Sequence, residues 1–262
     1  MANVTKSQLY ENHINVFLKR FPAFEFLRDS FVVPNNTNTW TFQGRERNDV
    51  QVLFIGKTGY GKSTAMNTLI GESLFESSDV SACTRTSQCA DFYLNDNKDA
   101  YLSFGDLPGI GESAERDKEY LELYNDFLSL TSVVVYFLRA DQRDYTVDLH
   151  SFQSLLRKSD LRDKVVIALN CADKVEPINR TKGFKPSYEQ VKNIDQKCRV
   201  VSELFSISSE YVVPISASEN WNMGLLMDKV ANIINKDNDS IIVPPWHSSE
   251  WKDTVKRFGW NI

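Results

Sequence analysis

The chain has 262 residues, 42% of them hydrophobic and 25% charged, with a net charge of −5. Those figures fit one sizeable soluble α/β domain with appendages rather than two full domains. The acidic balance argues against a broad nucleic-acid-binding face, since phosphate backbones demand a basic stripe.

The N-terminus MANVTKSQLYENH lacks the basic-then-apolar plan of a signal peptide, and no apolar stretch approaches the roughly 18 residues of a membrane span, so no transmembrane segment is expected. The four cysteines (Cys83, Cys89, Cys171 and Cys198) show no C-x-x-C spacing, and His13, His150 and His247 are the available imidazoles. Reduced thiols in a cytoplasmic protein are the expectation, not a zinc site.

Three stretches separate along the chain. Residues 1–47 read as an N-terminal helical extension. Thr5 and Gln8 have capping-box spacing, and Tyr10, Ile14, Phe17, Leu18 and Phe21 recur at helical spacing until Pro22 stops the run. Phe24, Leu27 and Phe31 suggest a second short helix, and Asn35–Thr39 a loop. The apolar stripe is expected to pack on the neighbouring domain.

Residues 48–236 alternate strand and helix signals. The strand candidates are 50–55, 90–94, 100–104, 132–138, 164–169 and 211–215. The helix candidates are 63–70, 118–128, 146–158, 189–205 and 221–234. This alternation predicts a mostly parallel six-stranded sheet with helices on both faces and ligands at the carboxyl ends of the strands. Residues 237–262 form a tail with Trp246, Trp251 and Trp260, expected to dock on the main domain, or with Lys252, Lys256 and Arg257 to anchor a partner or a membrane surface.

After the first main strand comes Gly56-Lys57-Thr58-Gly59-Tyr60-Gly61-Lys62-Ser63-Thr64, a full match to G-x-x-x-x-G-K-[ST]. Its glycines let backbone N–H groups approach phosphates, and the helix that follows adds its positive end. Lys62 places an ammonium on the β and γ phosphates, and the Ser63 hydroxyl suits Mg²⁺. The strand ending in Gly105-Asp106-Leu107-Pro108-Gly109 offers D-x-x-G, with Asp106 for a magnesium-bound water and the Gly109 N–H for the γ-phosphate. In the polar loop between the two, Thr84 is the expected third magnesium ligand, with Thr86 its rival.

The strand ending at Leu169 leads into Asn170-Cys171-Ala172-Asp173-Lys174, which fits N-K-x-D except that Cys171 stands where the lysine would be. An aspartate there accepts from the guanine N1–H and 2-amino group, a donor pair that adenine lacks. Lys174 is one position away and would compensate only from a different direction. Ser216-Ala217-Ser218 follows the last strand, placed for a backbone N–H to meet guanine O6. Four elements in this order, each at a strand end, predict a site for GTP and GDP with Mg²⁺.

These residues resemble the Era/TrmE-like P-loop GTPases, and within them the YfjP/YeeP-type bacterial subgroup. The likeness rests on GKTGYGKST, VSACTR, DLPGIGESAERDKEY and RADQRDYTVD and covers about residues 48–236. It implies a Ras-like G domain that hydrolyses GTP and switches with nucleotide state, signalling to an effector protein. The P-loop and the Cys-Thr-Arg element also resemble GIMAP/septin-type GTPases, which would use GTP mainly for dimerisation or polymerisation. No KH-like RNA-binding domain fits after residue 236, which argues against RNA or ribosome binding. Gly59 stands where potassium-stimulated members have asparagine, so that role does not carry over.

Ras-type enzymes orient the attacking water with a glutamine after D-x-x-G, and Ile110 holds that place here. Slow hydrolysis by the monomer follows, with the missing group drawn from a homodimer through the switch regions or from this chain. Arg85 is the best-placed arginine finger. Glu112, Ser113, Arg116, Asp117, Arg139 and Arg143 are the other candidates.

Overall fold

The computed structural model describes residues 6–10, 13–29, 41–42, 45–46, 49–71, 73, 75, 88–93, 101–107, 128, 131–156, 159–178 and 183–238. Thr84, Thr86, Arg85, Gly109, Ile110, Glu112, Ser113, Arg116, Asp117 and the tryptophan-bearing tail lie outside these. So does the predicted helix at 118–128, apart from Leu128.

The sheet is built on continuous apolar runs, as expected of strands covered on both faces. Its strands are β4 (Asp49–Gly56), β5 (Gln88–Tyr93), β6 (Tyr101–Asp106), β7 (Val133–Arg139), β8 (Val165–Asn170) and β9 (Val212–Pro214). These six lie in the order β5-β6-β4-β7-β8-β9, parallel throughout except for the β5–β6 pair. The six-stranded, mostly parallel sheet read from the sequence is therefore present. Val133, Val134 and Val135 of β7 and Val166, Ile167 and Ala168 of β8 are completely buried, on both faces.

Helices α2 (Lys62–Ile70), α3 (Thr146–Leu155), α4 (Tyr188–Phe205) and α5 (Met223–Asn238) follow β4, β7, β8 and β9. Their ends have local causes. The Asp144 carboxylate accepts from the backbone N–H and hydroxyl of Thr146 at the start of α3. Ser187 caps α4 by accepting from the Gln190 N–H, and α2 closes on Gly71 in left-handed backbone. The expected helix at 221–234 begins later, because Trp221 pairs with Ser216 in an isolated bridge.

The N-terminal extension corrects one expectation. Lys6–Tyr10 is not the start of a helix but a strand, β1, parallel to β5 and seventh in the sheet. The exposed edge of β5 supplies a ladder of backbone partners that outweighs the helical spacing of Tyr10. Helix α1 then runs over His13–Arg20, and Pro22–Asp29 is a 3₁₀ helix.

The apolar stripe itself packs as the sequence suggested. Phe17, Leu18, Phe21, Phe24 and Leu27 are buried, and the Phe17 ring lies 5.3 Å from Phe92 and 5.5 Å from Phe104. Each such side chain contributes about 1.5–3 kcal/mol by burial. Arg20 adds polar contacts, donating to the carbonyls of Thr68 and Leu69 at the end of α2 and to Asn220 Oδ1. A small antiparallel ladder joins β2 (Thr41–Phe42) to β3 (Arg45–Glu46).

Candidate functional site

The carboxyl ends of β4, β6, β7, β8 and β9 converge on one rim of the sheet. The loop from Gly56 to Gly61 leaves β4 there and turns into α2. Two of its glycines are required by geometry. At Gly56 (φ +149°) a Cβ would sit 2.7 Å from the Phe137 carbonyl. At Gly61 (φ +87°) it would sit 2.4 Å from Asn170 Nδ2.

Lys62, the first residue of α2, is buried, and its Nζ donates to the carbonyls of Gly56 at 3.0 Å and Lys57 at 3.2 Å. The ammonium is thereby held over the crown of the loop, beside the positive end of the helix. That pairing of cation and helix terminus favours a phosphate.

Ser63 Oγ donates to Asp106 Oδ2 at 2.5 Å, so the P-loop serine and the D-x-x-G aspartate meet at the loop's mouth. Asp106 is completely buried as the last residue of β6. A hydroxyl beside a carboxylate is a hard oxygen donor set that suits Mg²⁺, which keeps several waters and takes further oxygens from phosphate. Among the described residues no group of three His, Cys, Asp or Glu side chains is placed to hold a metal ion.

The second half of the site is knit to the first by Asn170. This buried side chain donates to the Tyr60 carbonyl at 2.9 Å and accepts from the Ala217 N–H at 3.0 Å. Asp173 Oδ1 accepts from Ser216 Oγ at 2.7 Å, and Thr68 of α2 donates to the Ala217 carbonyl. Asn170, Asp173, Ser216 and Ala217 thus meet at one edge of the P-loop. Lys174 is exposed at the end of the Ala172–Lys174 turn. It lines a neighbouring cleft of about 410 Å³ with Asp141, Arg143, Glu176 and Lys197.

A buried polar cluster braces the loop from behind. Asp148 of α3, almost fully buried, accepts from Gln142 Nε2 at 2.7 Å and from the Tyr60 hydroxyl at 3.3 Å. It also pairs with Lys57 Nζ at 3.3 Å. Burial, and then the Asp148 charge, push the Tyr60 hydroxyl well above its usual range, so Tyr60 stays a neutral donor. Asp148 and Gln142 carry no motif of their own in the sequence. Their sign in the sequence is the polar run RADQRDYTVD after an apolar strand, which also carries the resemblance to the YfjP/YeeP-type subgroup.

Arg139 ends β7 beside the same loop, bound to Asp141 through Nε at 3.0 Å and Nη2 at 2.7 Å. That hydrogen bonding holds the Asp141 carboxyl below its usual range.

A family described as 50S ribosome-binding GTPase matches residues 51–171. YkfA of Escherichia coli K12, an uncharacterized protein, is 32% identical over 203 residues, 78% of this chain and 68% of YkfA. YfjP of the same strain, also uncharacterized, is 30% identical over 189 residues, 72% of this chain and 63% of YfjP. GTPase Der of Leptospira borgpetersenii is 25% identical over 206 residues, 77% of this chain and 38% of Der. The chain thus spans about two thirds of the length of YkfA and YfjP and well under half of Der.

Among solved structures, Aquifex aeolicus Era bound to GDP·AlF4⁻ superposes with a TM-score of 0.57 at 21% identity, over 71% of this chain and 57% of Era. Arabidopsis thaliana Toc33 with GDP and Mg²⁺ reaches 0.57 at 18% identity, over 85% of this chain and 97% of Toc33. At these identities the likeness is one of fold.

Proposed function

The chain is a P-loop GTPase of the Era/Der type, in the family of YkfA and YfjP, and on that premise we propose that it binds GTP and GDP with Mg²⁺, hydrolyses GTP to GDP and acts as a nucleotide-dependent switch. The observation that carries this reading is Asn170. One side chain joins the loop built for phosphates to the loop built for a guanine, through Tyr60 on one side and Ala217 on the other.

The motif residues take these parts in the reading, Thr84 and Gly109 from outside the described residues. Lys62 and the start of α2 hold the β and γ phosphates and neutralise charge that develops as the terminal phosphoryl group leaves. Gly56, Lys57, Thr58, Gly59, Tyr60, Gly61 and Thr64 line the phosphate cradle. Ser63, Asp106 and Thr84 would be the protein residues holding Mg²⁺, which when bound would supply positive charge to the phosphates. Asp173 accepts from the guanine N1–H and 2-amino group, and the Ser216–Ser218 loop, whose Ala217 N–H Asn170 holds, lies on the guanine O6 side. Gly109 meets the γ-phosphate.

Ile110 cannot polarise water, so hydrolysis by the isolated monomer is slow, and Arg85 or a second copy supplies the missing group. The switch loops then report the γ-phosphate to an effector protein. Among the described residues no helix is long and apolar enough to cross a membrane, and a cytoplasmic setting fits this reading.

The test is nucleotide binding and phosphate release by the purified chain. Lys62→Ala, in a protein that remains folded, is expected to weaken GDP and GTP binding by about 100-fold, the loss of charge-assisted bonds to phosphate. Wild-type affinity in the variant would remove Lys62 from the site and the reading with it.

A further inference from the structure

Arg139 and Asn170 stand opposite one another on the neighbouring parallel strands β7 and β8, so their side chains leave the sheet toward the same face. Asn170 donates to the Tyr60 carbonyl. Arg139 Nη1 donates to the carbonyl one residue earlier, Gly59, at 3.4 Å. The remaining edge of the guanidinium is gripped at two points by Asp141, which fixes its plane. Directly after Asn170, and so next to the strand-end position paired with Arg139, Cys171 sits half-buried in left-handed backbone at φ 62°.

Cys171 holds the place of the motif's lysine. Its short neutral side chain has no stem to lay over a purine and no ammonium to reach the P-loop. Lys174 lies exposed at the neighbouring cleft. Arg139 ends beside both Cys171 and the P-loop.

Resting on the guanine-nucleotide reading above, we propose that Arg139 replaces the missing lysine of the base-reading motif, bracing Gly59 and covering one face of the bound guanine from β7 instead of β8. A guanidinium suits the task. It is planar, weakly hydrated and stacks on aromatic rings, and the Asp141 grip means that little of its freedom is lost when the base arrives. The same contacts set Arg139 apart from an arginine finger. It is anchored on the side of the P-loop that carries Asn170, not at the Ser63–Asp106 end.

The test uses four full-length proteins: wild type, Arg139→Ala, Cys171→Lys, and the double variant. Each is titrated with fluorescent GDP, and each melting temperature is taken with and without GDP. Arg139→Ala is expected to weaken GDP binding by about 10- to 30-fold and to shrink the GDP-induced rise in Tm, on top of the small drop in ligand-free Tm that loss of the Asp141 pair brings. The double variant is expected to recover affinity to within about threefold of wild type, since a lysine stem returns to the motif position. A merely structural role for Arg139 would lower the ligand-free Tm but leave the GDP-induced rise intact, and would not be rescued by Cys171→Lys.

Wild-type GDP affinity in Arg139→Ala overturns the inference alone and leaves the GTPase reading standing. A double variant no tighter than Arg139→Ala does the same. Failure of the wild-type protein to bind guanine nucleotides overturns both.

Discussion

Asn170→Ala tests whether the two halves of the site are one unit. The side chain is 4% exposed and spans from the Tyr60 carbonyl at 2.9 Å to the Ala217 N–H at 3.0 Å. Truncation removes the partner of a buried acceptor and of a buried donor, each worth about 1–3 kcal/mol. It also opens space against Gly61, whose own backbone approaches Asn170 Nδ2 closely. The sum is about 2–6 kcal/mol. For a domain of this size each kcal/mol moves Tm by about 2–4 °C, so thermal unfolding should fall by about 4–24 °C. Because the P-loop and the Ser216–Ser218 loop lose their common anchor, GDP affinity in the folded variant should drop by about tenfold or more. Differential scanning fluorimetry gives the first number and titration with fluorescent GDP the second. A variant that melts within about 2 °C of wild type and binds GDP with unchanged affinity would refute the idea that Asn170 couples the two loops.

Three further outcomes are expected. Asp148→Ala leaves Lys57, Gln142 and Tyr60 without a shared buried acceptor and should cost about 3–5 kcal/mol in chemical denaturation, with faster GDP release, whereas Asp148→Asn should cost less; equal losses in the two would show that the carboxylate's charge is not what matters. Arg139 holds the Asp141 carboxyl below its usual range, so that pair contributes above the unfolded pKa near about 4 and its contribution is lost as pH falls through the lowered folded value. The stability gap between wild type and Asp141→Asn should therefore be widest near neutrality and close below pH about 4, and a gap that grows on acidification would contradict the assignment. Turnover per molecule should climb with protein concentration if a second copy supplies the catalytic group that Ile110 cannot, and should stay flat if Arg85 acts within one chain.

The parts of the fold that rest on local chemistry were legible in the sequence. The glycine-lysine-serine run can hardly be anything but a strand-to-helix turn. The continuous apolar runs Val133–Leu138 and Val165–Leu169, short and β-branched, read as strands buried on both faces. What the sequence hid depends on partners far away in the chain. Lys6–Tyr10 pairs with an edge strand about 80 residues later, and nothing within those five residues announces it. Asp148 reads as a surface acid in a polar run. It is buried because Tyr60, Lys57 and Gln142 gather around it from the P-loop and the β7–α3 connection. Arg139 was one of several arginines that could reach a phosphate. The β7–β8 register is what sets it beside Asn170, and the Asp141 grip turns it to the Gly59 carbonyl. Lys174 shows the reverse. One residue from Asp173 in sequence, it stands exposed at another cleft, because the tight turn after Cys171 rotates adjacent side chains apart.

The central claim is that Asp173 reads guanine, and nucleotide competition against fluorescent GDP on wild type and Asp173→Asn tests it most directly. Asp173 Oδ1 is held by Ser216 at 2.7 Å, and the proposed reading assigns the carboxylate's remaining acceptor capacity to the guanine N1–H and 2-amino group. Two such bonds are each worth on the order of 1–3 kcal/mol, enough for tenfold discrimination or more. In the wild type GTP should displace the probe while ATP and XTP fail to do so at the same concentration. In Asp173→Asn, where the amide can donate to a 2-oxo group, XTP should become the better competitor. Equal displacement of the probe by ATP and GTP in the wild type would contradict the account.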